Sequence, residues 1–137
     1  MSAYRIDHIG IAVRSIADAL DVYRALGLEI SHREEVPTQG VVTAFLAVGE
    51  SRLELLEPTS IDSPVGKFVA RRGPGLHHVC LAVPDIEKAL EELRAKGFRL
   101  LNPVPVPGAG GKRIAFLHPD AGHGVLLELS EDARGAS

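Results

Sequence analysis

The chain repeats itself. Asp7-His8-Ile9-Gly10-Ile11-Ala12-Val13 returns 70 residues later as His77-His78-Val79-Cys80-Leu81-Ala82-Val83, with the apolar pattern matched position for position. At the same offset Ile16-Ala17-Asp18-Ala19-Leu20 falls on Ile86-Glu87-Lys88-Ala89-Leu90. Val42-Thr43-Ala44-Phe45-Leu46 recurs as Arg113-Ile114-Ala115-Phe116-Leu117, and Arg52-Leu53-Glu54-Leu55 as Leu126-Leu127-Glu128-Leu129. The offset drifts to 71 and then 74, as loops of unequal length between matching strands require. A chain of this kind is one domain, residues 1–137, made of two fused copies of one module. The copies span about 4–58 and 75–130, joined by the Pro/Gly-rich step around Ser63-Pro64 and Gly73-Pro74-Gly75.

Each copy reads as strand, helix, then three strands. Residues 5–13 are apolar and β-branched, and Ser15 follows as a helix N-cap with Asp18 three residues on. Ile16, Ala19, Leu20, Tyr23 and Leu26 recur at helical spacing; Ile86, Ala89, Leu90 and Leu93 do the same after Pro84-Asp85. Gly27 and Gly97 stand where each helix should stop. Strands are expected near 28–34, 41–48 and 51–57, with counterparts near 98–102, 112–118 and 124–130. A hairpin turn is expected at Val48-Gly49-Glu50-Ser51, and a frayed tail over 131–137.

Composition narrows the function classes. With 137 residues, 45% of them hydrophobic and 24% charged, the chain has the make-up of an ordinary soluble globular domain. Its net charge of −3 argues against nucleic acid as a partner. No apolar run approaches the roughly 18 residues of a membrane span, and no leader pattern opens the chain, so neither a membrane nor secretion is expected. One cysteine forbids an internal disulfide or a thiolate cluster and fits a reducing, cytoplasmic setting. Six histidines beside four Phe and two Tyr are the compositional oddity.

Side-chain parity gives two of those histidines a role. Successive strand residues point to opposite faces. Ile9, Ile11 and Val13 should pack on the helix, leaving His8 on the other face beside Gly10 and Ala12. In the repeat Val79, Leu81 and Val83 take the helix side, and His78 shares its face with Cys80 and Ala82. By the same rule Leu53 and Leu55 face the helix and Glu54 does not; Val125, Leu127 and Leu129 face it and Glu128 does not. Each copy therefore offers one His and one Glu on its open face. Two imidazoles and two carboxylates suit a divalent metal such as Zn, Co, Ni, Mn or Fe.

The stretches DHIGIAV (7–13), EEVPTQGV (34–41), LELLEP (53–58), GPGLHHVCLAV (73–83), GGKRIAFLHP (110–119) and GVLLEL (124–129) carry a family resemblance. The doubled module resembles the vicinal-oxygen-chelate (glyoxalase-fold) superfamily and, over almost the whole chain, its methylmalonyl-CoA epimerases. The resemblance implies an α+β fold of two tandem βαβββ modules whose curved sheet surrounds a metal. It assigns His8, Glu54, His78 and Glu128 as ligands of a divalent ion, Co2+ foremost, with Zn2+, Ni2+ and Mn2+ as alternatives. It implies an acyl-CoA substrate, a homodimer, and epimerisation of (2R)- and (2S)-methylmalonyl-CoA by C2 proton abstraction through a metal-stabilised enolate. Glu128 is the first expected acid/base group. Several epimerases carry a second Glu where this chain has Thr43, which cannot serve as a base at neutral pH. Glu54, the counterpart of Glu128, is therefore expected to act on the opposite face.

Gln39 follows the family's Gln-Gly pattern and is a candidate substrate contact, as is Lys112 after the glycine-rich run 108–111, near the CoA phosphates. The phosphate-loop reading of that run fails, because Arg113 stands where Ser or Thr is needed and a strand follows. His77 falls on the helix side, His32 and His123 in surface or loop positions, and His118 on a face with Ile114 and Phe116. Cys80 reads as packing, and Arg71-Arg72 as a solvated pair. The alternatives are a glyoxalase I-type lactoylglutathione lyase, which the same four ligands fit, and a metal-free small-molecule-binding resistance protein.

Overall fold

The computed structural model describes residues 4–132. The described residues form two compact units, residues 8–77 and residues 78–132 together with residues 4–7.

The first module runs β1 (Arg5–Ala12), α1 (Ile16–Ala25), β2 (Ile30–Val36), β3 (Val41–Val48) and β4 (Ser51–Pro58). Its strands lie in the order β2-β3-β4-β1. β1 and β4 are parallel, and the other neighbours are antiparallel. Ser15 caps α1 by accepting from the Asp18 amide, and Gly27 at φ 88° ends it. The hairpin falls as expected, with Val48 opposite Ser51 and Gly49 in the left-handed region. Ile16 and Leu20 of α1 pack on Val13, Ala44, Leu46 and Leu55, the apolar side of the sheet. Leu26, expected in that stripe, is the helix C-cap and is 71% exposed.

The second module repeats this plan with β5 (Gly75–Ala82), α3 (Ile86–Ala95), β6 (Val106–Pro107), β7 (Arg113–Phe116) and β8 (Leu127–Glu131), in the strand order β5-β8-β7-β6. β5 and β8 are parallel. Asp85 caps α3 through the Lys88 amide, and Gly97 at φ 88° ends it. Ile86, Ala89 and Leu90 pack on Val83, Ala115, Leu117 and Leu129.

Other expectations change as well. The connecting step holds a helix, α2 (Pro64–Arg72), capped by the Ser63 hydroxyl and started by proline. The strand expected at 98–102 shrinks to one bridge, Leu100 with Leu117, and pairing resumes only at β6. Pro103, Pro105 and Pro107 lack the amides a longer ladder needs. Finally, β8 starts at Leu127 because residues 119–125 turn back through His123 and Gly124, both at positive φ; Val125 is 46% exposed instead of packed under the helix. Glu131, placed in the expected tail, closes β8, and residues 133–137 lie outside the described residues.

One device appears in both modules. The amide of Ile16, the first residue of α1, donates to Glu57 Oε1 at 2.8 Å, and that of Ile86, the first of α3, donates to Glu131 Oε2 at 2.7 Å. A carboxylate from the end of the last strand thus satisfies an otherwise orphaned donor and meets the positive end of the helix. Glu57→Ala is expected to cost about 1–2 kcal/mol of folding stability. Urea denaturation checks this; an unchanged midpoint would show the contact to be inert.

Candidate functional site

The register of the first module builds one continuous row on the face away from α1. Phe45 of β3 stands opposite Glu54 of β4, and Glu54 stands beside Gly10 of β1. Glycine leaves room over the carboxylate, and His8 fills it: Nε2 lies 3.0 Å from Glu54 Oε1, with both residues 5% exposed. The edge of the His8 ring meets Phe45 at 5.4 Å between centroids. Arg52 lies 4.0 Å over the same Phe45 ring.

The second module makes the same construction from its own strands. Phe116 stands opposite Glu128, and Cys80 beside it. His78 Nε2 lies 3.0 Å from Glu128 Oε1, the two residues being 5% and 4% exposed, and the His78 ring meets Phe116 edge-on at 5.7 Å. Cys80, fully buried, stands in the place of Gly10, with its Sγ 3.9 Å from the Leu81 carbonyl oxygen. The four ligand candidates thus form two buried imidazole–carboxylate pairs, one per module. Neutral imidazole and carboxylate are the donors a borderline divalent cation prefers, and a cation would offset the cost of burying the carboxylates. The donor set fits the implied metal.

Other candidates fall into place around these pairs. Gln39 ends a single 3-10 turn, Pro37–Gln39, and is half-buried. Gly40 follows at φ 65°, and a Cβ there would sit 2.6 Å from the Ser63 Cβ, so the Gln39 turn exists only with glycine next to it. Lys112 does not stand free: its Nζ donates to Asp7 Oδ1 at 2.7 Å, Asp7 being 3% exposed, and lies 3.6 Å from Asp132. Arg113 joins Glu87 and, at 3.3 Å, Glu131. Its hydrogen bond to Glu87, with Glu131 adding to it, holds the guanidinium above its ordinary value against some desolvation.

The remaining histidines are accounted for locally. His77 packs edge-on against Phe68 of α2. His32 bonds Glu34 at 2.6 Å, and His118 accepts the Asp120 amide through Nδ1. His123 occupies a turn. Arg71 and Arg72 lie exposed in the last turn of α2, where positive charge is favourable. Sequence reasoning missed the capping carboxylates Glu57 and Glu131, although each lies three residues after a ligand candidate, the same spacing in both copies.

With this geometry in hand, comparison with known proteins gives the class. The model of the Glyoxalase/Bleomycin resistance protein/Dioxygenase superfamily matches residues 7–116, and the chain belongs to that superfamily. The chain is 44% identical to Uncharacterized protein YqjC of Bacillus subtilis, over 93% of this chain and 91% of the relative. It is 36% identical to the ethylmalonyl-CoA/methylmalonyl-CoA epimerase of Cereibacter sphaeroides, over 93% and 97%. A solved methylmalonyl-CoA epimerase, in complex with methylmalonyl-CoA and NH4+, superimposes with a TM-score of 0.93 at 43% identity, covering 99% of both chains. Within the superfamily, the chain belongs to the methylmalonyl-CoA epimerase family.

Gly40→Ala, which adds the Cβ that Ser63 excludes at a positive φ, should cost about 1–3 kcal/mol. Chemical denaturation reads this out, and wild-type stability would show that the turn relaxes freely.

Proposed function

We propose that this chain interconverts (2R)- and (2S)-methylmalonyl-CoA by removing the C2 proton and returning a proton to the opposite face. The observation that carries the reading is the buried His–Glu pair repeated in both modules of a chain that belongs to the epimerase family. His8, Glu54, His78 and Glu128 together are read as the ligands of one divalent cation. Co2+ is the first choice, and Zn2+, Ni2+ and Mn2+ suit the same donors. When bound, the cation supplies Lewis acidity to the thioester and carboxylate oxygens that flank C2.

The chain's own groups move the proton. Glu128 accepts it from one face of C2, and Glu54 delivers one to the other; for the opposite epimer the roles exchange, and no net proton is consumed. His78 and His8, 3.0 Å from these carboxylates, hold their orientation. Phe116 and Phe45, edge-on to the two imidazoles, help keep water from the carboxylates. Lys112, fixed by Asp7 yet 19% exposed at its side chain, is read as a contact to the CoA phosphates, and Gln39 as a contact to the acyl end. We further read the chain as a cytoplasmic homodimer serving propionate metabolism; light scattering at twice the chain mass supports the dimer, and the single-chain mass overturns it. The lyase and binding-protein readings are not favoured, because the matched proteins of stated activity reported above are epimerases.

Incubation with methylmalonyl-CoA in D2O tests the whole reading. Deuterium should enter C2 with loss of stereochemical purity, and a chelator should abolish this. Glu128→Gln and Glu54→Gln should each lower kcat by about 100-fold or more. Near-normal epimerisation by Glu54→Gln with metal still bound would remove Glu54 from the acid/base role. No exchange, alongside turnover of the methylglyoxal–glutathione hemithioacetal, would overturn the epimerase reading in favour of the lyase.

A further inference from the structure

Among the described residues, two side-chain hydroxyls on the faces that carry the His–Glu pairs have no hydrogen-bond partner: Thr43 Oγ1 and Ser130 Oγ, in residues each 1% exposed. Their positions follow from the register. Thr43 is two residues from Phe45 along β3, so it shares the Phe45 face, and it stands opposite Leu56, two residues beyond Glu54. Ser130 is two residues from Glu128 along β8 and stands opposite Ile114. The two cross-strand rows are equivalent in the repeat, Thr43–Leu56 in one copy and Ile114–Ser130 in the other. Each holds one hydroxyl and one aliphatic residue, with the hydroxyl on the third strand of the first module and on the last strand of the second. The duplication did not copy the hydroxyl residue for residue. It nonetheless left one in the same row of each module.

A hydroxyl removed from water without a partner destabilises the folded chain, and a valine or alanine in its place would not. Two such groups, each one cross-strand row from the glutamate of its module, mark a place suited to a polar ligand. We propose that Thr43 and Ser130 are substrate-binding hydroxyls that donate hydrogen bonds to the oxygens flanking C2 of the bound malonyl thioester. The inference rests on the epimerase reading and extends it to two residues outside the ligand set. Proton removal from C2 moves negative charge onto those oxygens. A donor already aimed there in a dry site stabilises that charge without reorganising. Hydroxyls suit the task because they do not ionise near neutral pH and so neither compete for the C2 proton nor repel the substrate carboxylate. Thr43 thus acts as a donor at the position where it cannot act as a base.

The test uses the full chain loaded with metal. Thr43→Val and Ser130→Ala keep side-chain bulk close to native and remove only the donor, while Thr43→Ser retains it. Thermal midpoints should stay at or above the wild-type value. In the D2O exchange assay kcat/KM should fall about tenfold in each of the first two variants. Thr43→Ser should recover most of that loss. Wild-type kinetics in both Thr43→Val and Ser130→Ala would overturn the inference. So would a failure to fold, or a drop in midpoint that tracks the loss of activity, since either marks the hydroxyls as structural. A wild-type chain that exchanges no deuterium would overturn the epimerase reading and this inference with it. An active wild type with equally active variants would overturn the inference alone.

Discussion

A carboxylate at 4–5% exposure destabilises a fold unless a nearby group compensates for the lost water, and in both modules the compensating group comes from the parallel strand alongside. β1 lies against β4 so that Gly10 is level with Glu54, and β5 lies against β8 so that Cys80 is level with Glu128. The small residue beside each carboxylate gives the histidine two positions earlier space to reach it. Slipping either parallel pair by one residue would turn the imidazole to the helix side while the carboxylate stayed behind. The register is held from the opposite side of the same strands, where Val13 and Leu55 pack on α1, and Val83 and Leu129 on α3. Helix packing and site assembly are thus two faces of one alignment. Glu57 and Glu131 tie them more closely, because each extends the Glu-bearing strand to the first amide of the helix.

The copies have diverged where the shared alignment does not constrain them. Gly10 and Cys80 occupy the same place beside the carboxylate, and the imidazole reaches it at 3.0 Å in both copies. Arg113 holds Glu131 and Glu87 at a position where the first copy has Val42, so in the second module a cation braces the capping carboxylate. The His–Glu–Phe set shows no such drift. Phe45 and Phe116 occupy the same register position and meet their histidines edge-on at similar distances.

Much of this was legible in the sequence, for a physical reason. Strand parity is a period of two imposed by backbone geometry, so Ile9, Ile11 and Val13 on one face fix His8 on the other whatever the loops do. Helix ends were equally local: Ser15 and Asp85 cap through their own side chains, and Gly27 and Gly97 adopt positive φ where the pattern stops. What remained hidden depends on contacts distant in sequence or on competing local signals. The Ser63 cap and Pro64 start of α2 are ordinary helix signals, but they sit in a stretch rich in turn residues and read as a connector. β6 was displaced by three prolines that no apolar pattern overrides. The partners of Lys112 and Glu57 lie 105 and 41 residues away, beyond any local rule. The unpartnered state of Thr43 and Ser130 can be known only when every neighbour is in place.

For the proposed reaction, duplication does more than economise on sequence. The two epimers differ at one carbon, and the equilibrium between them lies close to even, so neither direction of proton transfer can be favoured by much. An enzyme serving both directions needs an acid/base group on each face of C2. Here each glutamate is flanked by leucines in sequence, stands opposite a phenylalanine, and has an imidazole nitrogen at 3.0 Å, so their environments resemble each other because the modules do. Repeating a single half-site places one such glutamate in each module.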